Sequence, residues 1–324
     1  SSGFTLTTTG ASSIDGTIRN AGTMAVSGGS WTFTSTGKYQ HNYATTAGTI
    51  PSATWNAGST CEIIGYTTYA ASPGGPANRN QSFSNFTWNC TNQTANINFG
   101  GTIPTVNKDF NITSTNTGIL RLSAGTNYTF NVGGNFNISS GNLEFTSSSA
   151  TVTINISGNY SQVGGIVDFA SGSTQTPTVT MNLAGNFSNS AGSSNFKKSD
   201  GSGSGKITFN KSSGSQTFSS TNISTGSNAI NIEIGTGSTT NTVILSSAIA
   251  IHSGATFIVF AGSALEMGDN VLTGGTFTLN SDATLKIGHA NGIRTQADCG
   301  SGATCGNVQT STRNFNTNAN YEYN

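Results

Sequence analysis

The chain has 324 residues, 12 Lys and Arg against 12 Asp and Glu, and only 7% charged residues, where an average soluble domain carries roughly 25%. So few and so scattered basic groups argue against nucleic acid as a partner. No apolar run approaches the roughly 20 residues that span a bilayer; the longest candidate, residues 248–260, is broken by His252, Ser253 and Gly254.

Zero net charge, 42 Gly, 18 Phe and abundant Ser, Thr and Asn describe an ordered all-β chain hydrated by hydroxyls and amides. Disordered chains more often carry high net charge and few aromatics. Residues 4–50 read as short strands around Phe4, Thr17, Thr23 and Trp31, separated by Gly/Ser/Asn turns. Residues 51–100 are the least repetitive part. They hold Cys61, Cys90, Trp55, Trp88 and a long loop from about Tyr66 to Gln81.

Residues 101–190 carry the clearest repeats. Tyr128-Thr-Phe-Asn-Val-Gly-Gly-Asn-Phe136 returns as Val152-Thr-Ile-Asn-Ile-Ser-Gly-Asn-Tyr160 and as Val179-Thr-Met-Asn-Leu-Ala-Gly-Asn-Phe187, at spacings of 24 and 27 residues. Val106-Asn-Lys-Asp-Phe110 is a worn copy. Each copy is followed by a second alternating strand, with Leu120/Leu122, Leu143/Phe145 and Val167/Phe169 inward and Arg121, Glu144 and Asp168 outward. After a looser stretch around Asp200-Gly-Ser-Gly-Ser-Gly205, expected as a flexible turn, the motif resumes at Lys206 and Gln216. From Ala255 a 20-residue unit takes over: Thr256-Phe257 returns as Thr276-Phe277, and Leu265-Glu-Met-Gly268 as Leu285-Lys-Ile-Gly288.

A unit of this size cannot bury its own apolar face and must stack on its copies. The expected fold is therefore a parallel β-solenoid, one elongated rod of roughly 12–13 rungs. Its segments are 1–100 (irregular rungs), 101–246 (units of about 24–27 residues) and 247–324 (units of about 20). Equivalent residues should stack into ladders: aromatics at Phe110, Phe136, Tyr160 and Phe187, and turn amides at Asn135, Asn159 and Asn186 in the left-handed conformation. Glu266 and Lys286 should meet as opposite charges on adjacent rungs. Two disulfides are expected, Cys61–Cys90 and Cys299–Cys305, each pinning a loop and each favouring an oxidising compartment. None of His41, His252 and His289 lies near a Cys pair, so a zinc site is not expected.

Thr49-Ile-Pro-Ser-Ala-Thr-Trp-Asn-Ala-Gly-Ser-Thr-Cys-Glu-Ile-Ile-Gly65, Gln81-Ser-Phe-Ser-Asn-Phe-Thr-Trp-Asn-Cys90 and the Gly-Gly-Asn-Phe copies resemble the repeat regions of very large secreted proteins of gliding, type IX-secreting Bacteroidota. The resemblance covers most of the chain. It implies a parallel β-helix segment of a long secreted or cell-surface, adhesin-like protein. It brings no catalytic residues, and the chain reads as a fragment of something longer.

No catalytic motif stands out, and neither an enzyme nor a bound cofactor or metal is expected. The sharpest enzymatic hint is Glu144 above Asp168, a spacing like that of a retaining glycosidase; stacking alone also produces it, and Arg121 can pair with Glu144. Trp31, Trp55, Trp88, Tyr66 and Tyr69 either plug the irregular end of the core or stack on sugars, with Tyr66, Tyr69, Trp55 and Trp88 the candidate glycan contacts. Lys197-Lys198, the only basic pair, should be a solvated turn. Asp269, Asp282 and Glu266 do not form a calcium repeat. The expected role is a stiff spacer or filament, secreted or at the cell surface, with neighbouring repeats or like chains and polysaccharide as partners. The alternative is a carbohydrate-binding or polysaccharide-degrading β-helix protein.

Overall fold

The computed structural model describes residues 5–26, 30–103, 105–172, 174–192, 194–220, 222–224, 228–299 and 305–324. It is a parallel β-solenoid. One face is a 13-stranded parallel sheet running from Thr17–Asn20 to Asn320–Tyr323, one strand per coil. At about 4.8 Å per rung the rod is about 60 Å long.

Each central coil has three strands. The first face holds the 13-stranded sheet, with Phe110–Ser114 and Phe136–Ile138 among its strands. The second holds Ile97–Asn98, Ile119–Ser123, Asn142–Thr146, Ile166–Ala170 and Phe196–Lys197. The third includes Tyr128–Val132, Thr151–Ile156, Thr178–Leu183 and Ser204–Phe209. Three sheets that each bury one face close a prism around a single core, continuous from Trp31 to Val308.

The alternation read from the sequence sets what is inside. On the first face the inward column runs Tyr39, Cys61, Phe86, Phe110, Phe136, Tyr160, Phe187, Phe218 and Leu245. Its rings are in contact, Tyr160 and Phe187 lying 4.8 Å apart and nearly parallel. Leu120, Leu143, Val167 and Phe196 line the second face. Phe130, Ile154, Met181, Ile207, Ile232, Phe257 and Phe277 line the third.

The Gly-Asn turn is built differently from the expectation. Asn135, Asn159 and Asn186 do ladder: Asn135 N donates to Asp109 Oδ1, Asn159 N to Asn135 Oδ1, Asn186 N to Asn159 Oδ1 and Thr217 N to Asn186 Oδ1, all at 2.8–2.9 Å. None of the three is left-handed; among the described residues the non-glycine ones with positive φ are Asn78, Asn116, Ser224 and Asp282. The preceding glycine is needed for close approach instead. A Cβ on Gly185 would lie 2.1 Å from the Gly158 oxygen, and one on Gly158 would lie 2.5 Å from Gly134.

The change to a 20-residue period comes from a lost corner. Ile249–Ile251 and Thr256–Val259 are separate strands of one coil, but Leu272–Leu279 pairs with both without a break. Gly274 makes the bend at φ +87°, where a Cβ would lie 1.9 Å from the Ile251 carbonyl oxygen. Thr276-Phe277 stacks on Thr256-Phe257 and Leu285 on Leu265, as the repeat predicts. Lys286 sits between Glu266 at 3.9 Å and Glu322 at 3.6 Å.

Candidate functional site

Register builds the most chemically loaded surface, on the second face. The outward positions of four consecutive strands align as Arg121, Glu144, Asp168 and Lys197, beside a column of Ile119, Asn142 and Ile166. Glu144 and Asp168 therefore do stack on adjacent rungs. They point outward but are covered by their neighbours, Glu144 being 8% exposed and Asp168 4%.

Both carboxylates are engaged. Arg121 donates from Nε at 2.7 Å and Nη2 at 2.5 Å to the same oxygen, Glu144 Oε2. Asp168 Oδ1 accepts from the backbone N–H of Ala170 and of Ser199, and Oδ2 accepts from the Ser199 hydroxyl at 2.5 Å. Burial pushes the Asp168 carboxyl above its usual range, against the pull of the Ser199 hydrogen bonds and of Lys197. Thr117, Ile119, Asn142, Glu144, Ile166, Asp168 and Lys197 line a cleft of about 250 Å³.

The aromatic candidates go elsewhere. Trp31, Trp55, Trp88 and Tyr66 are core residues. Trp55 stacks on Phe33 at 4.5 Å, and the Trp88 indole N–H donates to Gln93. Tyr66 is not an exposed loop tyrosine; it packs between Trp88 and Tyr69 and donates to the Ala47 carbonyl. Tyr69 alone is half-buried. These rings pack on one another and on Phe33, Phe83 and Phe99 in the N-terminal core.

The cysteines divide. Cys299 and Cys305 form the expected disulfide. Cys61 and Cys90 do not: both are buried free thiols. Cys61 pairs with Phe86, and Cys90 lies four residues beyond Phe86, roughly 13 Å of extended chain away. A bridge needs Cα atoms within roughly 7 Å. Cys61 instead takes a place in the inward column, and Cys90 Sγ lies 3.5 Å from the Ile63 carbonyl. Burial pushes the Cys90 thiol up to about 12.

Two polar features were not foreseen. Lys198 is buried, not in a solvated turn; it donates to the Asp200 carbonyl, and burial lowers its pKa. Asp200 is itself buried, its Oδ1 accepting from Ser202 N at 2.6 Å, and Ser204–Phe209 is strand, so the expected flexible turn is short. The signal was present: counting by twos from the inward Phe196 puts Lys198 inside. The second feature surrounds His41. Its Nδ1 meets Tyr39 Oη at 3.1 Å; its Nε2 meets the Ala47 carbonyl at 2.8 Å and Tyr66 Oη at 3.1 Å. Among the described residues no group of three or more His, Cys, Asp and Glu gathers to hold a metal, and no helix is long and apolar enough to cross a membrane.

No protein-family model, curated protein or solved structure matches this chain.

Proposed function

We propose that this chain is a structural and adhesive segment of a secreted or cell-surface repeat protein, a stiff spacer that carries loops into contact with glycans or surfaces. One observation supports it above the others: a ladder of 13 parallel strands in one sheet over one unbroken core. Such a body is rigid along its length, because bending opens hydrogen bonds on one face and compresses packed rings on another. The Cys299–Cys305 bridge supports an oxidising compartment.

The reading also holds that Glu144 and Asp168 are not an acid–base pair. A general acid or base needs a free proton site within reach of substrate. Here both Asp168 oxygens are taken by Ser199 and Ala170, so Asp168 offers none; Glu144, held by Arg121 through Oε2, keeps only Oε1 open and has no second free carboxylate to work with. Small-angle scattering, a glycan array and a reducing-sugar release assay test the proposal together. A rod of about 60 Å that binds glycans and releases no sugar is expected. Release of reducing ends, abolished in Glu144→Gln, would overturn it in favour of the polysaccharide-degrading alternative.

A further inference from the structure

The cleft on the second face contains polar atoms that the protein leaves open. Glu144 Oε2 carries both Arg121 bonds, while Glu144 Oε1 has no partner among the described residues. Asn142 donates through Nδ2 to the Gly118 carbonyl at 3.3 Å, and its Oδ1 is likewise open. Lys197 makes no ion pair or hydrogen bond among the described residues. All three side chains line the same cleft. Glu144 Oε1 is not sealed from solvent, so water reaches it and an entering hydroxyl can take that water's place.

Three properties define what fits. The charges of the column, Arg121, Glu144, Asp168 and Lys197, sum to zero, so the cleft selects neither an anion nor a cation. Its other wall is aliphatic, formed by the half-exposed Ile119 and Ile166. Its volume of about 250 Å³ is below the roughly 300–1,000 Å³ of sites for drug-sized ligands. A small, uncharged body with hydroxyls on one side and C–H groups on another matches all three.

We infer that this cleft binds one ring of a neutral sugar. Glu144 Oε1 and Asn142 Oδ1 accept from its hydroxyls, Lys197 Nζ donates to a ring or hydroxyl oxygen, and Ile119 and Ile166 pack on its C–H face. With no aromatic platform, the affinity per ring is in the millimolar range, about 4 kcal/mol. The inference rests on the glycan-contact part of the proposed function and is independent of the rod acting as a spacer.

Chemical-shift titration of the whole chain with glucose, galactose, mannose and N-acetylglucosamine tests it, alongside a glycan array. At least one sugar should shift amides in residues 117–121, 142–144, 166–168 and 197 and leave the rest unmoved. Lys197→Met should weaken that sugar about tenfold, the loss of one charged hydrogen bond, with cooperative unfolding kept and only the small fall in Tm that losing the charge opposite Asp168 brings. Asn142→Ala provides a second variant and should also weaken it. Glycan binding that persists unchanged in Lys197→Met and Asn142→Ala, with shifts elsewhere, overturns the cleft and leaves the glycan-contact reading standing. The absence of binding to any sugar or array glycan overturns both.

Discussion

His41 shows what a single buried residue does to the pH dependence of the fold. It sits inside the first face, ringed by Tyr39, Tyr43 and Tyr66, with Asn20 donating to the Tyr39 and Tyr43 hydroxyls. Burial lowers its pKa from 6.5 to about 4, with the Ala47 carbonyl pulling weakly the other way. The folded state therefore binds this proton less readily than the unfolded chain. Its contribution is complete above pH 6.5 and is lost as pH falls towards about 4, a loss of about 3 kcal/mol. Urea midpoints should fall across that window, and the fall should be shallower in His41→Gln; an equal fall in both would assign the acid sensitivity to other groups. The thiols give a second residue-scale expectation. Without reductant, the native chain should react with a thiol reagent at neither Cys61 nor Cys90, and the unfolded chain at both. No reaction after unfolding would mean that the two are bridged after all.

The turn ladder is the element that the sequence displayed most openly, and it carries its own internal control. Asp109 stands at the position of Asn135, Asn159 and Asn186, accepting from Asn135 N as the asparagines accept from the next rung. What the position requires is an acceptor oxygen. Asn159→Ala should cost about 1 kcal/mol, one exposed hydrogen bond, while Asn159→Asp should be nearly neutral. Gly185→Ala should be worse than either, because its Cβ has to enter the space of the Gly158 carbonyl. Thermal unfolding of the three variants ranks them, and a ranking with Asn159→Asp as the most damaging would refute the acceptor argument. Strand alternation and repeat spacing thus gave the columns from Phe110 to Phe187 directly. Phe86 and Tyr39 in the same column were hidden, because the loop after Cys61 breaks the spacing. Cys61 and Cys90 misled for a related reason: nearness in the chain says nothing about position around a coil. The cleft was half legible. Arg121, Glu144 and Asp168 followed from the repeat, but Lys197 joins them only through the register of a two-residue strand, Phe196–Lys197.

At the scale of the whole rod, stability should be a sum of rung terms and nearest-neighbour terms. A coil is then removable if the rungs on either side of the cut match. Deleting residues 134–157 joins Gly133 to Gly158 and restores the Gly-Gly-Asn-aromatic turn. It puts Tyr160 on Phe110, Val167 on Leu120, Met181 on Phe130 and Asn182 on Asn131, all compatible pairs given the present columns. It also sets Asp168 against Arg121, opposite charges again. Deleting residues 134–184 removes two coils and restores the turn equally well, but it sets Lys197 directly against Arg121. Like charges facing each other across a ladder cost about 0.2–1 kcal/mol. Deleting residues 134–145 removes half a coil and carries the third-face strand Thr151–Ile156 onto the first face. The one-coil deletion should fold with a Tm near that of the parent, and the two-coil deletion should fold with a lower one. The half-coil deletion should lose cooperative unfolding. Circular dichroism melts rank the three, and adding Lys197→Glu to the two-coil deletion should recover the lost Tm. If the one-coil deletion is as damaged as the half-coil one, the coils are not interchangeable units, and the additive account of this rod is wrong.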